Sequence, residues 1–365
     1  MKNDNNSILG IPNSILAYYK AQPHNSTLSV LDERLQKEYK NVVLMIFDGL
    51  GTDLLEKNAP ESFMLNNRIT DITSVCPSTT TSAITTLLTG LSPVEHGWLG
   101  WSCYFKEINK CVDLFTGNHS ETERLAADYD IVSENIGFKN ILEQISTASP
   151  KINCTSVTPF SDPKATTCQE ICSHVSELCK SDGRQFIYAY HFQPDYDMHT
   201  CGCYDEHIKN MINSFDIQIE NLSKELNDTL LIVSADHGHK NIKMLCIEDF
   251  PEISECLSVP PSREPRNLSF FIKDNYKEVF PKRWNEKFGN SFRLMKSTEA
   301  IELGIFGSGI PHRRAYDFVG DYVALAIGDL ALWYKNEDGE YKNHLSAHAG
   351  LCHEEMIVPL ILIEK

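Results

Sequence analysis

A chain of 365 residues, 42% of them hydrophobic, has material for one large α/β domain carrying an insertion, or for two domains. Its formal net charge of −17 excludes polymeric nucleic acid as a partner held by phosphate neutralisation; an anionic small molecule stays within reach, because bound divalent cations reverse the local field. The opening MKNDNNSILGIPNSILAYYK has no apolar run after a basic start, and no stretch reaches membrane-spanning length, so neither a secretory leader nor a membrane partner is expected. Twelve scattered cysteines then read as free thiols of a cytoplasmic protein.

In chain order, residues 1–40 form an irregular or helical lead-in in which LSVLDERLQKEY (28–39) is the best helix. VVLMIF (42–47) reads as a buried strand that ends in Asp48-Gly49. PSTTTSAITTLLTG (77–90) carries four hydroxyls in a row, Ser78 to Thr81, and a helix beginning near Thr80. HGWLGWSCYF (96–105) reads as loop and short strand, and 123–146 holds a helix over its second half, ending near Thr147. FIYAYHF (186–192) is a second buried strand. Ile208, Met211, Ile212, Phe215, Ile219, Leu222 and Leu226 repeat at three- and four-residue steps, the mark of an amphipathic helix. TLLIVSA (229–235) is a third buried strand and runs into Asp236-His237-Gly238. Strand, helix, strand in succession predicts a parallel sheet covered by helices. Residues 245–320 change texture, Pro-rich at 251–265 and then strand, helix and strand over 267–273, 280–289 and 291–297. They read as a small αβ insertion or lid on a core of 1–244 and 321–365. DYVALAIG (321–328), LALWYK (330–335) and MIVPLILIE (356–364) return to strand texture.

Chemistry-bearing residues gather at the ends of these strands. Asp48 follows the first strand. Asp195 and His199, four apart, follow the second, and Asp236 and His237 follow the third; His348 sits in a small-residue loop before the last. With Thr80 in the first turn of a helix, where free N–H groups favour an oxyanion, the set suggests metal-assisted attack of a hydroxyl on phosphorus. Imidazole and carboxylate donors suit two divalent ions, zinc first and manganese as the alternative. Cys201 and Cys203 are not needed as ligands, and His239 and His353 read as loop or supporting groups.

Asp48-Gly49, Pro77-x-x-Thr80 with TGLSPVEHG (89–97), PDYDMHTCG (194–202), ADHG (235–238) and AHAGL (347–351) together resemble the alkaline phosphatase superfamily in its type I nucleotide pyrophosphatase/phosphodiesterase branch, closest to soluble bacterial members. The resemblance implies an α/β fold with a mostly parallel central sheet and helices on both faces. It places the nucleophile at Thr80, one ion on Asp195, His199 and His348, and the other on Asp48, Thr80, Asp236 and His237. It implies hydrolysis of small phosphodiesters or nucleotide pyrophosphates, cyclic dinucleotides among them, through a phosphothreonine. One departure stands out. Family members carry a phosphate-contacting asparagine after the TGL…HG segment, and that place falls at or near Trp101 here. Trp101 is a candidate for stacking a nucleobase, and Arg266 and His312, in segments shared with the bacterial group, are candidates for reaching a phosphate. The alternatives are a phosphomonoesterase, phosphonate hydrolase or phosphomutase of the same superfamily, or a nucleotide sensor without turnover.

Overall fold

The computed structural model describes residues 6–122, 124–336, 338–341 and 343–365. A six-stranded sheet runs through its centre in the order Arg68–Thr73, Ile357–Glu364, Thr229–Ser234, Asn41–Phe47, Arg184–His191, Ile152–Val157. The last four of these are mutually parallel, with Val42 opposite Phe186 on one side and Leu230 on the other. The C-terminal strand alone runs against its neighbours. Every residue of Asn41–Phe47 and of Thr229–Ser234 is buried. A continuous Val/Ile/Leu run, rather than an alternating one, is what a strand covered by helices on both faces requires.

The long helix Glu206–Glu225 starts at Asp205, whose side chain accepts from the His207 N–H, and buries Ile208, Ile212, Phe215, Ile219 and Leu222. Phe215 stacks on Phe47 at 5.1 Å between ring centroids, which locks this helix onto the central strand. The expected helix at 28–39 is shorter, Ser29–Arg34, and a second one precedes it at Gly10–Tyr18. The expected helix in 123–146 is two, Ile131–Ile136 and Ile141–Ala148. They part at Gly137, where a Cβ would lie 2.5 Å from the Ser133 carbonyl oxygen. The strands Arg68–Thr73 and Ile152–Val157 went unread because they are the sheet's two edges and bury only part of their length.

A second six-stranded sheet is antiparallel, ordered Phe292–Lys296, Tyr322–Ala326, Asn267–Phe270, Ser262–Glu264, Ser102–Phe105, Lys110–Asp113. Its strands come from within 245–320 and from both sides of it, so the boundaries expected at 245 and 320 fall inside one sheet. Short strands in the insertion have too little apolar area to stand alone, and they gain partners from the 102–113 hairpin and from Tyr322–Ala326. Trp284, fully buried, packs against Phe270, Phe280, Phe288 and Phe292 beneath this sheet. The sheet matters for the site because it delivers Glu264 to the loop that carries Thr80. No helix among the described residues is long and apolar enough to cross a membrane.

Candidate active site

Three neighbouring parallel strands end on the same side of the sheet, the crevice where open α/β folds bind ligands. Asp48 leaves the central one, Asp236 and His237 leave Thr229–Ser234, and Asp195 opens the helix Asp195–Cys201 just beyond Arg184–His191. Backbone bonds tie these ends together. The Asp48 N–H donates to His191 O (2.9 Å), the Asp195 N–H to Asp48 O (3.2 Å), and the Gly49 N–H to Asp236 Oδ1 (3.1 Å). The turns after the strands also touch: a Cβ on Gly51 would lie 2.5 Å from Gly238 Cα, so only glycines allow this approach.

Thr80 is the first residue of the helix Thr80–Thr89. Its Oγ1 lies 3.4 Å from each Asp48 carboxyl oxygen and 3.3 Å from His237 Nε2. His237 Nε2 is in turn 3.3 Å from Asp48 Oδ1 and 3.3 Å from Asp236 Oδ2. The neighbouring hydroxyls are turned elsewhere. Ser78 Oγ donates to Gly350 O, Thr79 Oγ1 donates to Glu264 Oε1, and Thr81 Oγ1 is buried with no hydrogen-bond partner among the described residues. Of the four, Thr80 alone faces the carboxylates. Tyr190 OH donates a very short bond to Asp48 Oδ2 and holds that carboxyl in place.

A second group centres on Asp195. His199 Nε2 is 3.4 Å from its Oδ2, while His239 Nε2 and His348 Nε2 are 2.9 and 3.5 Å from its Oδ1. Asp195 belongs to both clusters of close donor atoms, one with His199, His239 and His348, the other with Asp48 and His237. The Nδ1 atoms of His199, His237 and His348 face the carbonyl oxygens of Ser346, Gly238 and Ser78 at 3.0, 3.0 and 3.2 Å. Each Nδ1 therefore carries the proton, and each Nε2 lone pair points into the cluster. Such backbone pinning is the usual second layer of a metal-binding histidine.

The donor set fits divalent cations. Among the described residues no group donates to the buried Asp236 Oδ2, and the buried Asp195 Oδ1 and His239 Nε2 have only each other, at 2.9 Å, an arrangement costly unless a cation takes up the lone pairs. Burial together with the Asp236 and Asp195 charges drives the Asp48 pKa well above the usual carboxylate range, and burial also raises Asp236. Burial pushes Asp195 the same way, but its pairing with His199 outweighs it and leaves Asp195 well below that range. Burial and the neighbouring His237 keep His348 neutral, as a ligand must be.

The other singled-out residues lie as follows. Trp101 is 41% exposed and meets Phe115 edge-on, forming an aromatic ledge. Arg266 is fully buried, with Nε and Nη2 each 2.6 Å from a Glu355 carboxyl oxygen and two further bonds to Leu330 O and Gly328 O. That guanidinium is committed to the fold. His312 packs over Gly97, where a Cβ would sit 2.9 Å from its Nδ1.

Three residues entered the site without being foreseen, Tyr190 on Asp48 being one. His239, read as a supporting loop residue, is buried against Asp195; its place two after His237, on the same side of an extended segment, was the available signal. Glu264 had none. It is 5% exposed, its Oε1 accepts from Thr79 Oγ1 and from the Trp101 N–H at 2.6 Å each, and burial raises its pKa to about 7.

The fold and the sequence were compared with those of known proteins. The fold is similar to murine ectonucleotide pyrophosphatase/phosphodiesterase 5, with TM-score 0.65 at 18% identity over 87% of each chain. It is equally similar to an inactive threonine-to-alanine variant of that protein in complex with AMP, with TM-score 0.65 at 17% identity over 89% of this chain and 87% of that one. Phosphonoacetate hydrolase from Sinorhizobium meliloti 1021, in complex with phosphonoformate, gives 0.63 at 15% identity over 88% and 89%. No curated protein matches the sequence. The model of the family described as type I phosphodiesterase/nucleotide pyrophosphatase matches residues 42–348, a span that runs from the strand before Asp48 to His348 itself. The chain belongs to that family, and is a hydrolase acting on phosphate esters.

Proposed function

We propose that the protein is a two-metal hydrolase of small phosphodiesters or nucleotide pyrophosphates that works through a covalent phosphothreonine at Thr80. The observation that carries this reading is the position of Thr80 Oγ1 between Asp48 and His237, at a helix start, while Ser78, Thr79 and Thr81 face away. Asp195, His199 and His348 would hold one ion, and Asp48, Thr80, Asp236 and His237 the other, zinc first and manganese as the alternative. When bound, such a pair supplies the positive charge that makes a threonine hydroxyl acidic enough to react and neutralises the phosphoryl oxygens. Thr80 Oγ1 then forms the new P–O bond in line with the departing ester oxygen, and water breaks that bond in a second displacement. The backbone N–H groups of the first turn of Thr80–Thr89 are placed to stabilise a non-bridging oxygen.

The aromatic ledge of Trp101 and Phe115 offers a nucleobase a stacking surface, which favours nucleotide substrates, cyclic dinucleotides among them. Twelve free thiols, nine of them buried, suit a reducing, cytoplasmic setting. Acid quench of the zinc-loaded protein during turnover of bis-p-nitrophenyl phosphate, followed by peptide mass analysis, tests the proposal. The adduct is expected on the peptide containing Thr80; turnover with the adduct on another peptide would refute the assignment.

A further inference from the structure

Glu264 is an acid in a place that should not favour one. It stands at the end of Ser262–Glu264, is buried, and is tied through Oε1 to the residue before the nucleophile and to the Trp101 N–H. The loop before Trp101 is pressed against this strand: a Cβ on Gly100 would lie 2.7 Å from Arg263 Cβ, so the glycine is what lets the Trp101 amide reach the carboxyl. Both donors serve the same oxygen. Among the described residues no group donates to Oε2.

The flanking arginines do not compensate. Arg263 Nε donates to Ser269 Oγ (2.6 Å), its Nη2 donates to Leu268 O (3.1 Å), and its guanidinium lies over the Phe306 ring. Arg266 is spent on Glu355. The strand that could have brought a cation to the nucleophile brings an anion instead.

We propose that Glu264 sets the charge of the phosphoryl group this site accepts: a carboxyl bonded to the residue before the nucleophile disfavours a terminal, doubly charged phosphate relative to a singly charged phosphodiester. A phosphomonoester carries close to two negative charges at neutral pH, whereas a diester carries one. Like-charge repulsion scales with the product of the charges, so above about pH 7, where Glu264 is ionised, a carboxylate bonded beside the nucleophile penalises the monoester about twice as strongly. Specificity here comes from a repulsive element rather than an added contact. Glu264 thereby narrows the substrate class of the hydrolase reading to esters and anhydrides with a substituted phosphoryl group, and it rests on that reading for turnover, though not for binding.

The test compares wild type with Glu264→Gln, which keeps the size and the acceptor for Thr79 and Trp101 but removes the charge. In zinc-loaded protein, the ratio of kcat/KM for bis-p-nitrophenyl phosphate to that for p-nitrophenyl phosphate should fall by at least about tenfold in Glu264→Gln. Calorimetric titration with inorganic phosphate, in a Thr80→Ala background, should show affinity rising by about tenfold, or about 1.4 kcal/mol. Glu264→Asp, whose carboxylate is drawn back by one methylene, should move phosphate affinity the same way by about two- to threefold and decides the matter if Glu264→Gln does not fold. Equal loss on both esters with unchanged phosphate affinity would overturn the proposal and leave Glu264 as a brace for Thr79. If wild type turns over neither ester while the phosphate effect persists, the hydrolase reading fails and the role of Glu264 stands.

Discussion

Replacing Arg266 by Met should unfold the protein's active-site floor rather than weaken its grip on substrate. The guanidinium is fully buried, forms a two-point pair with Glu355 at 2.6 Å on each arm, and donates to Leu330 O and Gly328 O. Removing it strands a buried carboxylate, which costs about 3–5 kcal/mol, and two carbonyls lose donors at about 1 kcal/mol each. Glu355 keeps the Gly350 N–H at 2.8 Å and the Cys352 N–H at 3.2 Å, so part of its burden stays satisfied and about 4 kcal/mol is the expected net loss. The double variant Arg266→Met/Glu355→Gln removes the stranded charge and should recover roughly half of it. Urea unfolding of metal-free protein measures both. Because Glu355 anchors Gly350, and the Gly350 carbonyl receives Ser78 Oγ, the single variant should also loosen the loop that carries His348 and lower metal occupancy. A variant as stable as wild type, with KM raised and metal content unchanged, would refute this account and return Arg266 to the substrate.

Further predictions concern the site and its surroundings. Thr80→Ala should abolish turnover by orders of magnitude and Thr80→Ser should retain appreciable activity. Thr79→Ala should raise the barrier by about 1–2 kcal/mol through Glu264, and Thr81→Ala should do less, since its hydroxyl has no partner; ester hydrolysis rates rank the four. Elemental analysis should find two divalent ions per chain, with chelation inactivating and re-addition restoring; full activity in metal-free protein would sink the mechanism. Gly350→Ala should cost stability and metal together, because a Cβ there would lie 2.6 Å from Glu355 Oε2 and 2.8 Å from Arg266 Nη2, and melting with metal analysis checks both. His96 accepts the Trp98 N–H on Nδ1 at 3.0 Å and faces Thr86 Oγ1 with Nε2 at 3.1 Å, and burial lowers its pKa to about 3 from 6.5. The folded state therefore favours the neutral ring, so its contribution is complete above pH 6.5 and is lost as pH falls towards 3, roughly 2–3 kcal/mol by about pH 4.5. Denaturation of His96→Gln should show a shallower acid slope than wild type over that window, and equal slopes would contradict it.

The sequence alone determined the parts of this protein that are local or periodic. The three buried strands announce themselves as apolar runs, and their Asp and His residues sit within a few positions of the strand ends, so parallel pairing of adjacent strands was enough to imply that they converge. The helix at Glu206–Glu225 followed from a 3.6-residue period, and the start at Thr80 from its position after Pro77. Tertiary structure decided what depends on partners far away in the chain. Thr80 could be separated from Ser78, Thr79 and Thr81 by spacing within the motif, but the physical reason, that the others are bonded to Gly350 and Glu264 or buried, exists only in the folded chain. Arg266 looks from sequence like a phosphate ligand because an arginine's charge is legible and its partner is not; Glu355 stands 89 residues away. Glu264, two residues before Arg266 in the same segment, reaches Thr79 from 185 residues away, through a second sheet assembled from three separated segments. Long-range pairing of short strands costs chain entropy that leaves no periodic trace in any one of them, and for that reason the charge beside the nucleophile became visible only once both sheets were closed.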